Sequence, residues 1–203
     1  LHVRMSSASP GRYARHEFSK NIIDISFTGA EGSSVTVQQR GVGHWEIKDH
    51  GGAVHVQYRI FGDRVDGTYL GVDSTHAHLN LPATLVWAEG LESRAVRLTL
   101  TPPPDAIDWN VATQLFPTTD PLIFTAPNLA YLLDSPIEYG PFSQRIFNVR
   151  DPEVPAYQPR FRVAVHHNGT SEELDLFAES VERIVRETVT IFGEFPRFET
   201  DTY

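Results

Sequence analysis

Apolar and polar residues alternate with a period of two through most of the first 165 positions. Such alternation places every second side chain on one face and is typical of half-buried β-strands. Turns rich in Gly, Pro and Asp separate the runs, and a wound α/β fold would need interleaved helices that the pattern lacks. The alternating runs lie at 23–27, 35–37, 54–60, 96–100 and 161–165. The pattern predicts a mainly β fold of antiparallel sheets, arranged as a sandwich or a saddle.

The stretch from 105 to 159 is less regular and contains eight prolines. A proline has no backbone N–H to donate, so it is unsuited to the middle of a sheet. We therefore interpret this stretch as long connections that cross the sheet faces. Within it, short strands are expected only at 137–139 and 145–149.

A different period begins at Ser171. From there to Phe192 the apolar residues are spaced by three and four, which makes one apolar stripe along a helix. Thr170 and Glu173 have the spacing of a capping box, and Gly193 is placed for a left-handed C-terminus. The sequence thus predicts one long amphipathic helix after the β region.

Composition narrows the possible partners and chemistry. The 203 residues include 17 Lys and Arg against 26 Asp and Glu, a net charge of −9, which disfavours a nucleic-acid partner. The absence of Cys excludes disulfides, thiolate zinc sites and a cysteine nucleophile. Apolar runs of only a few residues predict no membrane span. The sequence also contains neither a Gly-x-Ser-x-Gly elbow nor a phosphate-binding glycine loop.

Several histidines could in principle bind a metal. His16 and Glu17 begin like the zinc-protease motif His-Glu-x-x-His, but position 20 is Lys20, so the chain has no zinc-protease core. The pair His76 and His78 is placed on one side of a strand, and two further histidines are adjacent at 166–167. Neither pair has an evident third ligand, and we interpret them mainly as polar strand or loop residues.

The segment Leu-Asp-Ser-Pro-Ile-Glu-Tyr-Gly-Pro-Phe, beginning at Leu133, has two possible interpretations. By its chemistry it is a turn, capped by Asp134 or the serine after it and fixed by the proline, with Glu138 an ordinary exposed carboxylate. Alternatively, Glu138 beside the aromatic Tyr139 and Phe142 on a rigid loop could bind an ammonium group. The residues themselves leave both interpretations open.

This segment and four others, in the same order, resemble the glycyl aminopeptidase family. Its members are zinc metallopeptidases with a thermolysin-like catalytic domain and often a C-terminal PDZ domain. The most specific motif, Leu-x-Asp-Ser-Pro-x-Glu-x-Gly, is matched by Leu132, Asp134, Ser135, Pro136, Glu138 and Gly140. The other motifs are matched by Pro10, Gly11, Tyr13, Phe18 and Asn21; Trp45, Val56 and Tyr58; Trp109, Thr113 and Leu115; and Phe192, Gly193, Pro196 and Phe198.

The resemblance implies that residues 1–168 form the family's N-terminal β domain and that 169–203 begin its catalytic domain. Ala8 and Ser9 depart from the family, which usually has an aromatic residue before the Pro-Gly. A strand normally precedes this point, so a first strand is expected upstream of Leu1. The His-Glu-x-x-His helix is expected downstream of Tyr203.

The resemblance therefore implies a non-catalytic N-terminal part of a zinc metallo-aminopeptidase, with its own catalytic domain as partner. In the related aminopeptidase N superfamily, a loop of this domain supplies an acidic or amide side chain to the substrate's α-amine. By that resemblance Glu138 is the candidate ligand of the peptide N-terminus, with Asp134 and Tyr139 beside it; Tyr139 and Phe142 are pocket walls or core residues. We expect the chain alone neither to hydrolyse aminoacyl substrates nor to bind zinc stoichiometrically, because zinc belongs to the longer protein.

Two alternatives remain from the sequence. The first is a carbohydrate- or protein-binding β-sandwich with no enzymatic parent, in which exposed Trp45, Trp87 and Trp109 stack on a ligand. A complete binding module would cover the apolar stripe of the long helix, whereas part of a longer enzyme would leave some of it exposed. The second is a lone β-barrel hydrolase that uses His76, His78 and a carboxylate.

Overall fold

The fold was analysed in a computed structural model that describes residues 1–64, 66–106, 108–200 and 202–203. These residues form antiparallel sheets and one long C-terminal helix, which confirms the predicted mainly β class. No helix in these ranges is both long enough and apolar enough to cross a membrane.

Short strands make up most of the regular structure. The strands are β1 (His2–Met5), β2 (Ile22–Thr28), β3 (Thr36–Gly41), β4 (His44–Lys48), β5 (His55–Ile60), β6 (Leu70–Val72), β7 (Ala77–Leu79), β8 (Val86–Ala88), β9 (Val96–Thr99), β10 (Asn110–Thr113), β11 (Phe116–Pro117), β12 (Ile123–Ala126), β13 (Ile137–Gly140), β14 (Ser143–Asn148) and β15 (Arg160–Val165). The helices are α1 (Leu129–Leu133) and α2 (Ser171–Phe192), with 3₁₀ turns at Phe18–Asn21, Ala30–Gly32 and Leu81–Ala83.

The strands pair antiparallel in two larger sheets and three smaller ones. The larger sheets have the orders β3-β4-β1-β8 and β10-β13-β7-β6, and the smaller ones are β11-β12-β9, β14-β15 and β2-β5. In the first sheet the alternation appears in strands outside the predicted runs: Val3 and Met5 of β1 and Trp45 and Ile47 of β4 face the core. β13 lies between β10 and β7, so its residues are held from both sides.

The proline-rich stretch contains more regular structure than the sequence predicted. The strands expected near 137–139 and 145–149 are present as β13 and β14, but β10, β11, β12 and α1 were missed. Pro117 lies in β11 at the edge of its sheet, where a missing N–H removes no central ladder bond. These elements are too short to give a clear period, and their pairing with distant strands defines them.

The long helix α2 agrees with the prediction in both its span and its ends. The hydroxyl of Thr170 accepts a hydrogen bond from the N–H of Glu173 at 3.2 Å, and the Glu173 carboxylate accepts one from the N–H of Thr170 at 2.7 Å. Gly193 has a φ of +87° and its N–H donates to the carbonyl of Val189 at 2.7 Å. These contacts satisfy backbone groups that the two helix ends would otherwise leave unpaired.

Only part of the apolar stripe of α2 is covered. Leu174, Ala178 and Val189 are buried, and the helix packs on β14. The exposed apolar residues of the helix are Leu176, Phe177, Ile184, Ile191 and Phe192, each more than half exposed. This is the outcome that the sequence analysis linked to part of a longer enzyme.

Candidate functional site

A cleft of about 630 Å³ separates the second large sheet from β15 and α2. One wall is polar and comes from the sheet, and the other is mainly apolar and comes from the hairpin and the helix. The first wall includes Asp73, His76, His78 and Glu138, and the second includes Val163, His166, Phe177 and Val181. A polar wall facing an apolar one is the usual character of a ligand-binding cleft.

The motif that carries Glu138 is fixed at the end of α1. The side chain of Asn128 accepts a hydrogen bond from the N–H of Tyr131 at 2.9 Å and so begins this short helix. Asp134 follows its last turn, and the buried hydroxyl of Ser135 donates to the carbonyl of Tyr131 at 2.7 Å. The segment is therefore a helix end that leads directly into β13, which positions Glu138 rigidly.

Glu138 lies opposite His78 in the pairing of β13 with β7. The Nδ1 atom of His78 is 3.3 Å from Oε2 of Glu138, and Nε2 of His76 is 4.0 Å from Oε1. The Glu138 side chain is only 18% exposed, and its Oε1 atom is buried without a hydrogen-bond partner among the described residues. Most buried polar atoms have a partner, so this atom is a candidate ligand contact.

Three of the four paired histidines from the sequence analysis, His76, His78 and His166, line this cleft. The rings of His76 and His166 stack with their centroids 4.0 Å apart, and Nδ1 of His166 donates to the carbonyl of Pro141 at 2.8 Å. His78 approaches the same carboxylate, so His76, His78 and Glu138 are neighbours, although their ligand atoms do not have the spacing of a metal site. His167 is separate: its Nδ1 accepts a hydrogen bond from the N–H of Gly169, just before α2.

Asp73 fixes the turn before β7 and was missed by sequence reasoning. Its carboxylate accepts hydrogen bonds from the hydroxyl and N–H of Thr75, each at 2.6 Å, and from the N–H of His76 at 3.0 Å. These donors hold the pKa of the Asp73 carboxyl well below its usual range. Asp73 therefore stays charged beside His76, whose Nδ1 lies 3.4 Å away. Its Asp-x-Thr spacing was the available signal, typical of an Asx turn.

A second cleft, of about 490 Å³, meets the first at Glu138. His78, Glu138 and Arg162 line both, and the exposed Asp134 lines only the second. The half-buried Arg162 donates from Nη2 to the carbonyl of Thr113 at 2.8 Å, and burial lowers the pKa of its guanidinium. Two of the three predicted site residues, Glu138 and Asp134, thus share one cleft.

Tyr139 lies on the opposite face of β13. It is 4% exposed, packs edge-on against Trp109 with ring centroids 5.1 Å apart, and lines neither cleft. Burial raises the pKa of its phenol. Of the two roles left open for Tyr139, the structure places it as a core residue. Phe142 is half-buried and lines neither cleft either.

The binding-module alternative depended on exposed tryptophans. Trp45 is buried at 8% exposure, and Trp87 and Trp109 are only partly exposed. Trp45 belongs to the core of the first sheet, and Trp109 packs against the core of the second. The three tryptophans therefore do not form an exposed platform for stacking, which this alternative required.

Comparisons with known proteins place the chain in a family. No curated protein matches the sequence. A solved structure, an aminopeptidase N family protein from Idiomarina loihiensis, is similar over 100% of this chain with a TM-score of 0.80 and 21% identity, which shows a shared fold. The match covers 33% of that protein, so the chain spans a third of its length. The sequence profile of the Peptidase M61 N-terminal domain matches residues 1–141. The chain therefore belongs to the peptidase M61 family and carries its N-terminal domain.

Proposed function

We propose that this chain is the N-terminal part of a zinc aminopeptidase, that it packs on the catalytic domain, and that Glu138 binds the α-ammonium group of the substrate. The observation that carries the last point is the position of Glu138 at the junction of two clefts, with Oε1 buried and unpartnered among the described residues. The fold and the family match support the first point.

The Glu138 carboxylate suits an ammonium group because only one of its two oxygens already has a hydrogen-bond partner among the described residues. His78 contacts Oε2, which leaves Oε1 as the atom with unused acceptor capacity. A partly buried carboxylate oxygen without a partner is costly, and a charged donor recovers that cost with a short, strong hydrogen bond. Asp134 on the rim of the second cleft adds negative charge along the approach.

We do not propose that this chain binds the catalytic zinc ion of the peptidase. The only His-Glu pair in the sequence, at His16 and Glu17, is followed by Lys20 where the motif needs histidine. The catalytic metal would therefore be held by residues outside this chain, and no step of hydrolysis is derived through it. The share proposed for this chain is substrate binding and support of one side of the cleft.

The exposed stripe of α2 supports packing on a further domain. Phe177 and Val181 form part of the apolar wall of the first cleft, and Ile184 and Ile191 continue the same face along the helix. Contiguous exposed apolar residues of this kind mark interaction surfaces. The occupant we propose is the catalytic part of the longer polypeptide, because the matched profile is that of an N-terminal domain.

The test uses the full-length peptidase with the substitution Glu138→Gln. We expect kcat/KM for a peptide with a free N-terminus to fall by about 10- to 100-fold, mainly through KM, since a hydrogen bond to a charged group contributes about 1.5–3 kcal/mol. Binding of an N-acetylated peptide as a competitive inhibitor should change little. Glu31→Gln, at an exposed residue that lines neither cleft, is the matched control.

The possible outcomes separate the parts of the proposal. Equal kinetics for Glu138→Gln and the parent on free-amine peptides would remove Glu138 from the binding site. A full-length protein with no peptidase activity would contradict the proposed enzyme itself. Hydrolysis by the 203-residue chain alone would instead favour the lone hydrolase that uses His76, His78 and Glu138.

A further inference from the structure

Three residues far apart in the sequence meet on the outer face of the first large sheet. His2 lies on β1, His44 begins β4, and Glu89 directly follows β8. Arg4 is the register partner of His44, so His2 lies diagonal to His44 on the same face. The N–H of Glu89 donates to the carbonyl of His2 at 2.9 Å, which holds the third residue beside the first.

The side chains of these residues converge. Nδ1 of His2 lies 2.9 Å from Nε2 of His44, and the ligand atoms of the two histidines and Glu89 all lie within 4.8 Å of one another. Across 1–64, 66–106, 108–200 and 202–203, no other three His, Cys, Asp or Glu residues meet this spacing. We infer that His2, His44 and Glu89 form a binding site for a divalent transition-metal ion, zinc in the first instance, that joins β1, β4 and β8.

The distance between the two histidine nitrogens fits such an ion after a small adjustment, and the Glu89 oxygen, which lies within 4.8 Å of both, would move closer. Zinc binds imidazole nitrogen at about 2.0–2.1 Å, which sets two tetrahedral ligand nitrogens about 3.3 Å apart. The two histidine nitrogens therefore need to separate by only a few tenths of an ångström. At their present distance one proton can lie between them, and the ion would take its place.

The surroundings of His44 favour its neutral ring. Partial desolvation, together with the positive charge of Arg4 and the neighbouring His2, lowers the pKa of His44. A lower pKa keeps the imidazole neutral, and only the neutral ring offers the lone pair that a metal needs. The negative charge of Glu89 opposes this shift in part and would itself be a ligand.

Arg4 competes for the same carboxylate. Its Nε lies 2.8 Å from Oε2 of Glu89, so a bound cation would share this residue with the guanidinium or displace it. The repulsion lowers the expected affinity, and removing the Arg4 charge should raise it. This gives a substitution that strengthens the site, which a general loss of folding cannot imitate.

The donor set selects the class of ion. Two imidazoles and one carboxylate are typical zinc ligands, whereas Mg²⁺ and Ca²⁺ prefer sites made of oxygen. The ion would tie the β3–β4 hairpin to the segment after β8, so binding should stabilise the sheet. This inference departs from the expectation, drawn from the sequence, that the chain binds no zinc of its own.

The test is a calorimetric titration of the untagged 203-residue chain with Zn²⁺, with Mg²⁺ as the ion control. We expect one zinc per chain and a zinc-dependent rise in melting temperature. His44→Ala should weaken binding by roughly tenfold or more and abolish that rise, whereas Arg4→Gln should tighten binding severalfold. His55→Ala, at an exposed histidine of β5, is the matched control and should leave zinc binding unchanged.

Three outcomes would overturn the inference. The first is the absence of stoichiometric zinc binding by the parent chain. The second is binding that survives His44→Ala but is lost in His76→Ala or His78→Ala, which would place the ion in the cleft. The third is weaker binding in Arg4→Gln. The first and third results leave the role of Glu138 untouched. The second would place an ion beside Glu138 and would therefore also count against Glu138 as the ammonium ligand, whereas the kinetics of Glu138→Gln test the proposed function by itself.

Discussion

The molecule contains two differently built regions that meet at the candidate site. The described residues of 1–141 form sheets around three clusters of buried apolar residues, and those of 143–203 form the β14–β15 hairpin, α2 and a C-terminal segment around one further cluster. That last cluster is formed by Val149, Tyr157, Phe161, Val189 and Phe195, with Phe147, Val185 and Phe198 packed against it. Each region therefore has a hydrophobic core of its own.

The contacts described between the two regions are mainly polar. Arg162 of β15 donates to the carbonyl of Thr113, and the ring of His166 stacks on that of His76. Both clefts are lined by Glu138 on the side of the first region and by β15 on the side of the second, and α2 lines only the larger cleft. Regions with separate cores and polar contacts are expected to move relative to each other, so their contact controls the shape of the site.

The packing of the two regions also indicates where the chain divides into domains. The sequence analysis placed the boundary after residue 168, which groups the hairpin with the sheets. The packing groups the hairpin with α2, and the family profile ends at residue 141, just before β14. A division near residue 142 is therefore our proposal, and the first substitution below tests it.

The largest expected effect comes from Phe161→Ala, in the core of the second region. Phe161 is buried and contacts the rings of Phe147, Phe195 and Phe198. Removing a buried phenylalanine side chain costs about 3–5 kcal/mol of unfolding free energy. If the regions are separate, the helical signal at 222 nm should be lost in denaturant before the tryptophan fluorescence changes.

The chain itself supplies the two probes and the control. All three tryptophans lie within the first 109 residues, whereas α2 belongs to the second region. Phe124→Ala, at an equally buried phenylalanine of the first region, should instead move the fluorescence transition first. If both probes shift together in both variants, the chain unfolds as one unit and the two-region description is wrong.

The next largest effect is expected in how the stability of the second region depends on pH. Asp151 is buried in the second region, and its carboxylate accepts hydrogen bonds from the N–H groups of Phe195, Val154 and Glu153 at 2.8–2.9 Å. These donors, that of Phe195 most of all, lower the pKa of Asp151 in the folded chain. A lowered pKa stabilises the fold above the unfolded-state pKa, near 4, and this stabilisation is lost as pH falls through the folded value.

Asp151→Asn should therefore destabilise the helical transition at pH 7 and make it less sensitive to pH below about 4. Measurements of denaturation at 222 nm across pH 2.5–7 give both quantities, to be set against the exposed-residue control Asp105→Asn. Some acid sensitivity should remain, because Glu173 also has a lowered pKa, caused mainly by the N–H of Thr170. An unchanged pH slope in Asp151→Asn would remove Asp151 as its cause.

The two regions also differ in how much of them the sequence predicts. The span and both caps of α2 follow from local chemistry, because a capping box and a C-terminal glycine act within one turn. β11, β12 and α1 were missed because they have two to five residues each and depend on pairing with distant strands. Local patterns thus predict the second region better than the later part of the first.

At the candidate site, too, the sequence predicts local features but not contacts between distant residues. Glu138 was singled out by its motif, and the period of two in a strand already implies that Tyr139 faces the other way. The contact of Glu138 with His78 spans 60 positions, and the stacking of His76 on His166 spans 90. Neither contact leaves a local signal, and the same is true of His2, His44 and Glu89. Such groupings follow only from strand order and register.

The smallest effect on the chain itself is expected from Ile184→Lys, on the exposed face of α2. Ile184 is 66% exposed, and lysine is a good helix former, so the unfolding free energy should change by no more than about 0.5 kcal/mol. In the full-length peptidase the same substitution should cost clearly more, because it would place a charge in the proposed contact with the catalytic domain. Denaturant midpoints measured for both proteins provide the comparison.

Thr190→Lys adds the same charge at an exposed position about 120° around α2 from Ile184 and is the matched control. It should be tolerated equally in the 203-residue chain and in the full-length protein. If Ile184→Lys is tolerated as well as Thr190→Lys in the full-length protein, the catalytic domain does not cover this face. The exposed stripe would then be a property of the second region alone, and the contact across the clefts would have to lie on the sheet side, where Glu138 and Asp134 are.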